Sequence, residues 1–172
     1  MPLVENGKIV QDRYQYVGDD APIPERVPVI VPAQRFLANT DALIRRDGSL
    51  GVLWPNDRRI AELAPWLGHL ALVALQFPKF RDGRAYSQAR LLRETYGFRG
   101  TLRAAGDVLR DQFHFLLRAG FDSFEVKKPA DAAAFVQAAS RYSVVYQPSA
   151  DGRVPALRRR AQGAASDPSE RI

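Results

Sequence analysis

The sequence predicts an α/β fold: a mostly parallel sheet of five to six strands with alternating helices. Short apolar segments alternate with segments of helical apolar spacing along residues 27–147. The connections between them are short and rich in Pro, Gly and Asp. This alternation is typical of parallel strands joined by right-handed crossovers, with helices packed on the sheet. An open doubly wound sheet and a half-barrel are both compatible with it.

The first half of the pattern predicts three strands and two helices. Pro32 and Pro55 close the first two strands, because proline cannot donate to a sheet ladder. The third strand is the most apolar run of the chain and lies between Gly68 and Pro78, which indicates a fully buried strand. In order, the predictions are strand 27–31, helix 33–46, strand 50–54, helix 57–67 and strand 69–77.

The second half repeats the pattern. Gly97 and Gly120 are natural stops for two of its helices. Asp107 is placed to cap the start of the second helix, because its carboxylate can accept the free N–H groups of the first turn. That helix is predicted to turn Leu109 and Phe113 inward. In order, the predictions are helix 84–96, strand 100–105, helix 108–119, strand 123–126, helix 130–141 and strand 143–146.

Charge and composition divide the chain into three parts. Residues 1–26 carry a net charge of −2 and are predicted to form an N-terminal strand or hairpin extension, with its strand within 8–16. Residues 27–147 carry +6 and are predicted to form a single α/β domain. Residues 148–172 carry +2, have little to bury, and are predicted to be a disordered basic tail.

Composition excludes several classes of chemistry. The 172 residues include no cysteine, which rules out disulfides, thiolate metal sites and thiol redox chemistry. Two histidines, His69 and His114, are too few for a histidine-rich metal centre. Neither GxGxxG nor GxxxxGK[ST] occurs, so no cofactor is encoded by a visible motif. No export signal or long apolar run is visible, and a cytoplasmic protein is expected.

The basic charge is concentrated in one segment. Lys79 to Arg110 holds eight basic and three acidic residues, a net charge of +5. In parallel α/β folds, sites form beyond the carboxyl ends of the strands, and this segment follows the third predicted strand. The residues predicted to bind an anion there are Asn56, Lys79, Arg81, Asp82, Gly83, Arg84, Ser87, Arg90 and Arg110.

These residues predict a site for a small oxyanion such as sulfite, sulfate or phosphate. Arginine forks favour anions, and Gly83 would let backbone N–H groups approach one. Arg84 and Arg90 would clamp the anion, while Asp107 would act as a catalytic base if the site is an active site. The alternative is that the basic residues form a solvated helix face paired with Asp82 and Asp107.

Two motifs resemble those of an uncharacterised bacterial family. They are FPKFRDGRAYSQARLLR from Phe77 to Arg93 and YGFRGTLRAAGDVLRDQ from Tyr96 to Gln112, followed by GFDSFE from Gly120. The resemblance covers most of residues 25–147. The family is a domain of unknown function labelled as oxidoreductases involved in sulfite reduction, with genes beside those of assimilatory sulfite reductase. Ala119 stands where many members have cysteine, which argues against an essential thiol.

The resemblance implies a role in sulfite reduction and leaves two readings open. In the first, the chain is an accessory protein of sulfur assimilation whose arginine-rich site binds an oxyanion or a phosphorylated cofactor. In the second, it is a non-catalytic adaptor whose basic face docks on sulfite reductase or its acidic electron donor. Nucleic-acid binding through the basic face and tail is a third, weaker reading, and no recognised motif supports it.

Overall fold

Eight strands form one mixed sheet in the computed structural model, which describes residues 2–5, 8–140 and 145–166. The strands are β1 (Leu3–Glu5), β2 (Lys8–Val10), β3 (Gln15–Tyr16), β4 (Val29–Pro32), β5 (Leu50–Trp54), β6 (Leu72–Phe77), β7 (Thr101–Gly106) and β8 (Ser123–Glu125). Their order across the sheet is β2-β1-β8-β7-β6-β5-β4-β3. From β3 to β8 every neighbouring pair is parallel, whereas β1 and β2 run antiparallel at the far edge.

The strand order is that of a half-barrel. Each strand from β3 to β8 pairs with the next in sequence, with no reversal of direction, whereas a doubly wound sheet reverses its order part-way. The α/β class is confirmed, but the expected count of five to six strands is wrong. The N-terminal segment, expected as an extension, contributes three strands to the same sheet. These strands have only two or three residues each, too few for an alternating pattern to be recognised.

The sheet curls so that distant strands meet across its inner face. The Tyr16 hydroxyl on β3 donates a hydrogen bond to Glu125 on β8, five strand positions away. In a flat sheet those strands would lie roughly 24 Å apart, at about 4.8 Å per step. Inward-facing side chains from Tyr14, Ile30, Leu72, Ala74 and Ala105 form a small cluster on this face.

The larger core lies on the other face, beneath the helices. Val31, Val52, Leu75 and Leu102 alternate with the inner-face residues along their strands and are fully buried. Because parallel strands covered on both faces must be apolar throughout, these runs were visible in the sequence. The strands predicted over 27–31, 50–54, 69–77, 100–105 and 123–126 are confirmed, with small shifts of their ends.

Helices follow the strands, but several differ from the regular ones expected. The segment 33–46 forms α1 (Ala33–Ala38) and α2 (Thr40–Ile44), separated at Asn39. The segment after Asp57 forms two 3₁₀ turns, Ile60–Glu62 and Ala64–His69. Pro65 lies inside the second turn and lacks the N–H that an α-helix requires there.

The remaining helices are α3 (Arg84–Arg90), α4 (Phe113–Ala119), α5 (Pro129–Ser140) and α6 (Ala156–Ser166). A π-helical turn, Leu91–Thr95, prolongs α3. Gly97 and Gly120 adopt φ angles of +63° and +102°, which confirms both predicted helix stops. Helix α6 lies in the stretch for which composition predicts a disordered tail. No helix in the described ranges is long and apolar enough to cross a membrane.

Of the last predicted strand, 143–146, residues 143 and 144 lie outside the described residues. Val145 forms an isolated parallel bridge with Pro155 instead of joining the sheet. The chain after α5 therefore continues as a separate segment that packs beside α4, as its contacts with Arg118 show.

Candidate functional site

Three connections gather at the carboxyl edge of the parallel strands. Residues 78–83 follow β6, residues 107–112 follow β7, and Lys127 follows β8. Since these strands are neighbours and run in the same direction, their carboxyl ends meet at one edge of the sheet. The structure thus brings together the loops that contain Lys79, Arg81 and Asp107.

Asp107 links these three connections. One carboxylate oxygen, Oδ1, lies 2.6 Å from Lys127 Nζ, and Oδ2 accepts a 3.0 Å hydrogen bond from the Phe80 N–H. The ammonium of Lys127, followed by the Phe80 N–H, lowers the pKa of Asp107 below its ordinary value. Both oxygens are thus engaged, and Asp107 ties the three connections together. The role of catalytic base stays a prediction.

The prediction that Asp107 caps the following helix is wrong. A 3₁₀ turn, Arg110–Gln112, precedes α4, and its N-cap is Leu109. The Gln112 side chain accepts from the Leu109 N–H at 3.3 Å and donates to the Phe80 carbonyl, which ties the two loops a second time. Leu109 is 39% exposed, so the expectation that it faces inward is also wrong.

Gly106 allows Asp107 to leave the strand at this place. Its φ is +95°, and a Cβ there would lie 2.6 Å from the Phe77 carbonyl oxygen. The Asp107 N–H donates to the same oxygen at 2.8 Å. Only glycine fits both the backbone angle and the close approach.

Asp82 and Arg84 form a second group. The Arg84 guanidinium donates from Nε at 2.9 Å and from Nη2 at 2.6 Å to the two carboxylate oxygens of Asp82. These bonds lower the pKa of Asp82, and Asp82 in turn raises the pKa of Arg84. The expected anion clamp is therefore already bound to a carboxylate.

Asn56 lies beside this pair and is buried. Its side chain also lowers the pKa of Asp82, although no hydrogen bond from Nδ2 meets ordinary distance and angle limits among the described residues. Gly83 has φ of −81°, and a Cβ there would meet nothing closer than 3.9 Å. Neither the backbone angle nor a contact within the protein requires glycine here, and the approach of its N–H to an anion stays a prediction.

The other expected ligands point elsewhere. Ser87 is exposed on α3. Arg90 pairs with Glu94 at 3.3 Å and Arg110 with Asp111 at 3.7 Å, and both arginines line a groove described below. Within the described ranges, no side-chain hydrogen bond or ion pair joins the Asp107, Asp82 and Arg90 groups to one another.

Two of the eight basic residues in the 79–110 segment lie inside the protein. Arg93 donates to the carbonyls of Phe98, Gly100 and Gly120 and pairs with Asp122. Arg103 is 1% exposed. The charge available to a ligand is consequently smaller than the sequence count of +5 implies.

One comparison with known proteins gives a result. The sequence model of a bacterial protein family of unknown function, DUF934, matches residues 51–157. The chain belongs to the DUF934 family. No curated protein and no solved structure matches it.

The matched region of this DUF934 chain contains both loops, α3, α4 and the strands from β5 to β8. The family assignment confirms that the chain belongs to an uncharacterised bacterial family, and the sulfite-reduction label stays a prediction. Strand β4 and the three N-terminal strands lie before the matched region.

Sequence reasoning missed a buried polar cluster on the inner face of this DUF934 fold. Arg103 donates to both carboxylate oxygens of Asp12, at 2.7 and 3.0 Å, and stacks over Tyr14 at 5.6 Å. Glu125 lies 3.8 Å from Arg103 and accepts from Tyr16. The alternation of side chains along β7 could have predicted this position. Leu102 and Ala104 flank Arg103 and face the larger core, so Arg103 lies on the opposite face of the sheet.

Sequence reasoning also missed a groove at the outer end of α4. Its volume is about 1090 Å³, the larger of the two described in the DUF934 chain. His114 lines it and is half-buried. The described residues contain no group of three or more His, Asp or Glu side chains arranged to hold a metal ion.

Proposed function

We propose that this chain is an accessory protein of assimilatory sulfite reduction that docks on an acidic partner protein. The motif resemblance supports the assignment to this pathway. The surface at the carboxyl edge of the sheet supports docking as the mode of action. We call this surface the loop surface and define it by Lys79, Phe80, Arg81, Leu109 and Lys127. The observation that carries the proposal is its apolar centre, Phe80 and Leu109, which are 47% and 39% exposed.

The loop surface has the composition of a protein interface. Exposed aromatic and aliphatic groups at the centre of a polar rim are where most binding energy is found. The two loops that carry Phe80 and Leu109 are tied through Asp107 and Gln112. Because the loops are already fixed, docking requires little additional ordering, which favours affinity.

The rim charge favours an acidic partner. Neither Lys79 nor Arg81 has a carboxylate within 4.0 Å among the residues described, and both are exposed. Opposite charge on a partner would steer its approach and fix its orientation. Sulfite reductase and its electron donor are the candidates, since iron–sulfur electron carriers are commonly acidic.

Small-oxyanion binding is the less favoured reading. Arg84 is engaged by Asp82, and Asp107 is paired with Lys127. Each of these pairs would have to open before an anion could bind. Calorimetric titration of sulfite, sulfate and phosphate against wild type and Arg84→Ala separates the readings, because saturable heats that vanish in Arg84→Ala would favour the oxyanion site.

Docking is tested by measuring binding of the full chain to purified sulfite reductase and to its electron donor. We expect the double variant Lys79→Glu, Arg81→Glu to weaken binding about tenfold or more at low ionic strength, with a smaller effect at high salt. Phe80→Ala is expected to accelerate dissociation with little change in the association rate. The matched control is Arg158→Glu, Arg159→Glu on α6, which makes the same charge change away from the loop surface.

Equal weakening by the α6 variant would show that only net charge matters, and absence of binding to either protein would overturn the docking proposal. The pathway is tested separately by deleting the gene in its bacterial host. We expect growth to fail on sulfate or sulfite and to recover on sulfide. Growth of the deletion strain on sulfite at the wild-type rate would overturn the pathway.

A further inference from the structure

One wall of the groove at the outer end of α4 is held in place by bonds to α4. Its floor is α4, one side is α5, and the other side is the segment 145–155, which we call the strap. The residues that line it include Arg90, Arg110, His114, Phe115, Arg118 and Tyr146. The volume of about 1090 Å³ is close to the upper end of the range of about 300–1,000 Å³ for small-molecule sites.

Arg118 fastens the strap to α4. Its Nη1 lies 2.9 Å from both carboxylate oxygens of Asp151, and these two side chains are only 15% and 11% exposed. The same guanidinium donates to the Gln147 carbonyl, and the Ser149 hydroxyl donates to the Arg118 carbonyl. Tyr146 therefore belongs to a segment that several hydrogen bonds hold against α4. Two of these bonds join the charged and mostly buried side chains of Arg118 and Asp151.

Two aromatic rings of this groove stay in contact with water. Tyr146 is 75% exposed and Phe115 is 65% exposed, the largest values among the exposed hydrophobic residues described. Both rings line one groove and so form an apolar surface that a ligand can cover. Exposed aromatic rings are surfaces on which nucleobases stack.

Two arginines at the groove supply positive charge. Arg90 and Arg110 are 57% and 60% exposed in their side chains. Their distances to Glu94 and Asp111 are 3.3 and 3.7 Å, which are typical of weak surface pairs. A phosphate group can displace such partners, because the guanidinium fork matches two phosphate oxygens.

We propose that this groove binds a mononucleotide, with the base against Phe115 and Tyr146 and the phosphates against Arg90 and Arg110. A free nucleotide fits better than a nucleic-acid strand, because α5 and the strap bound the groove on two sides. The site shares no residue with the loop surface, although Arg110 follows Leu109 in the chain, and it does not depend on the docking proposal.

The pKa of His114 can report whether a phosphate group binds in the groove. Burial, followed by the charges of Arg153 and Arg118, lowers the pKa of His114 below its ordinary value, while Asp151 opposes the shift. Arg110 and Asp111 line the same groove. A phosphate bound there adds negative charge and is expected to raise the pKa of His114. The other histidine of the chain, His69, lies in a 3₁₀ turn outside the groove and serves as the internal reference.

The experiment titrates the full chain with ADP, AMP, inorganic phosphate and a short oligonucleotide, by calorimetry and by NMR of the two imidazole rings. We expect ADP to bind at least about tenfold more tightly than phosphate, to raise the pKa of His114 and to leave the NMR signals of the His69 ring unchanged. Tyr146→Ala is expected to weaken ADP about tenfold and leave phosphate unchanged, Tyr146→Phe to retain binding, and Arg110→Ala to weaken both ligands.

Tyr96→Ala, which removes an exposed ring elsewhere, is the matched control and is expected to bind ADP as wild type does. Three outcomes would overturn the proposal: no saturable binding of either nucleotide, equal affinity for ADP and phosphate with no effect of Tyr146→Ala, or tighter binding of the oligonucleotide than of ADP.

Discussion

Asp107 shows how neighbours from other strands set the role of a single side chain. Lys127 and the Phe80 N–H hold its carboxylate in place and in the ionised form. The sequence places Asp107 after a strand and before a helix, from which a cap was predicted. It does not show that β8 brings Lys127 within 2.6 Å, because that distance depends on the pairing of β7 with β8.

Replacing Asp107 by Asn tests this role through pH. A pKa that is lower in the folded protein stabilises the fold above the unfolded value of about 3.9, and the contribution is lost as pH falls below it. We therefore expect Asp107→Asn to melt at a lower temperature than wild type at neutral pH, with the difference vanishing in acid. The exposed Asp19→Asn is the control, and a difference independent of pH would contradict the ion-pair explanation.

Gly106 is the second residue whose identity is dictated by geometry. Alanine at this position would be strained at φ +95° and would meet the Phe77 carbonyl oxygen at 2.6 Å. We expect Gly106→Ala to lower the free energy of unfolding by about 1–3 kcal/mol, measured in urea. Gly68→Ala, with nothing within 4 Å of the added methyl group, is expected to change it little. Equal stability of the two variants would refute the argument.

Elements differ in how well local sequence determines them. The apolar run from Leu50 to Trp54 forms β5 with the expected ends. Its composition is apolar throughout, as expected of a strand that is buried on both faces. The run after Asp57 has helical apolar spacing, and Ile60, Leu63 and Leu67 are indeed buried. Pro65 nevertheless restricts it to 3₁₀ turns, since apolar spacing reports which residues are buried and not the hydrogen-bond pattern between them.

The site was predictable only in part, and for the same reason. Proximity of the post-strand loops follows from parallel strands, so the gathering of Lys79, Arg81 and Asp107 was foreseeable. Pairing partners are set by tertiary contacts, and a charge count cannot distinguish the exposed Arg81 from the buried Arg103. The groove escaped prediction because Val145 and Tyr146 were predicted to end a strand and the strap from Pro148 onward has the composition of a disordered tail.

The strap gives a prediction at the scale of an element. Arg118→Met removes the charged partner of Asp151 while keeping much of the apolar side chain. We expect proteolysis within the strap to become faster at neutral pH, while amide hydrogens of β6 and β7 keep their protection from exchange. Arg159→Met on α6 is the control. Faster exchange throughout the sheet would show that Arg118 supports the whole fold instead of the strap alone.

At the scale of the whole molecule, the inner-face cluster connects the N-terminal segment to the far side of the curled sheet. Asp12 and Tyr16 come from the start of the chain, whereas Arg103 and Glu125 belong to β7 and β8. Burial, followed by the negative charge of Glu125, raises the pKa of Tyr16. The cluster thus holds the curl by polar contacts across a distance that backbone pairing alone does not span.

Removing one charged partner from this cluster is expected to lower the free energy of unfolding. Asp12→Ala leaves the Arg103 guanidinium buried with Glu125 at 3.8 Å as its remaining carboxylate, and we expect a loss of about 3–5 kcal/mol in the free energy of unfolding. The double variant Asp12→Ala, Arg103→Met is expected to lose less than the sum of the two single losses. Strict additivity in urea unfolding would show that the two side chains do not act together.

The order of the strands also has a consequence for synthesis of the chain. Leu3 on β1 pairs with Glu125 on β8, so β1 leaves the ribosome long before the strand that it pairs with. At about 5–20 residues per second, that wait lasts roughly 6–24 s. The parallel strands between them each pair with the next in sequence and can assemble as they emerge. Strands β1 and β2 are therefore expected to join this sheet only after β8 has been made, long after their own residues were made.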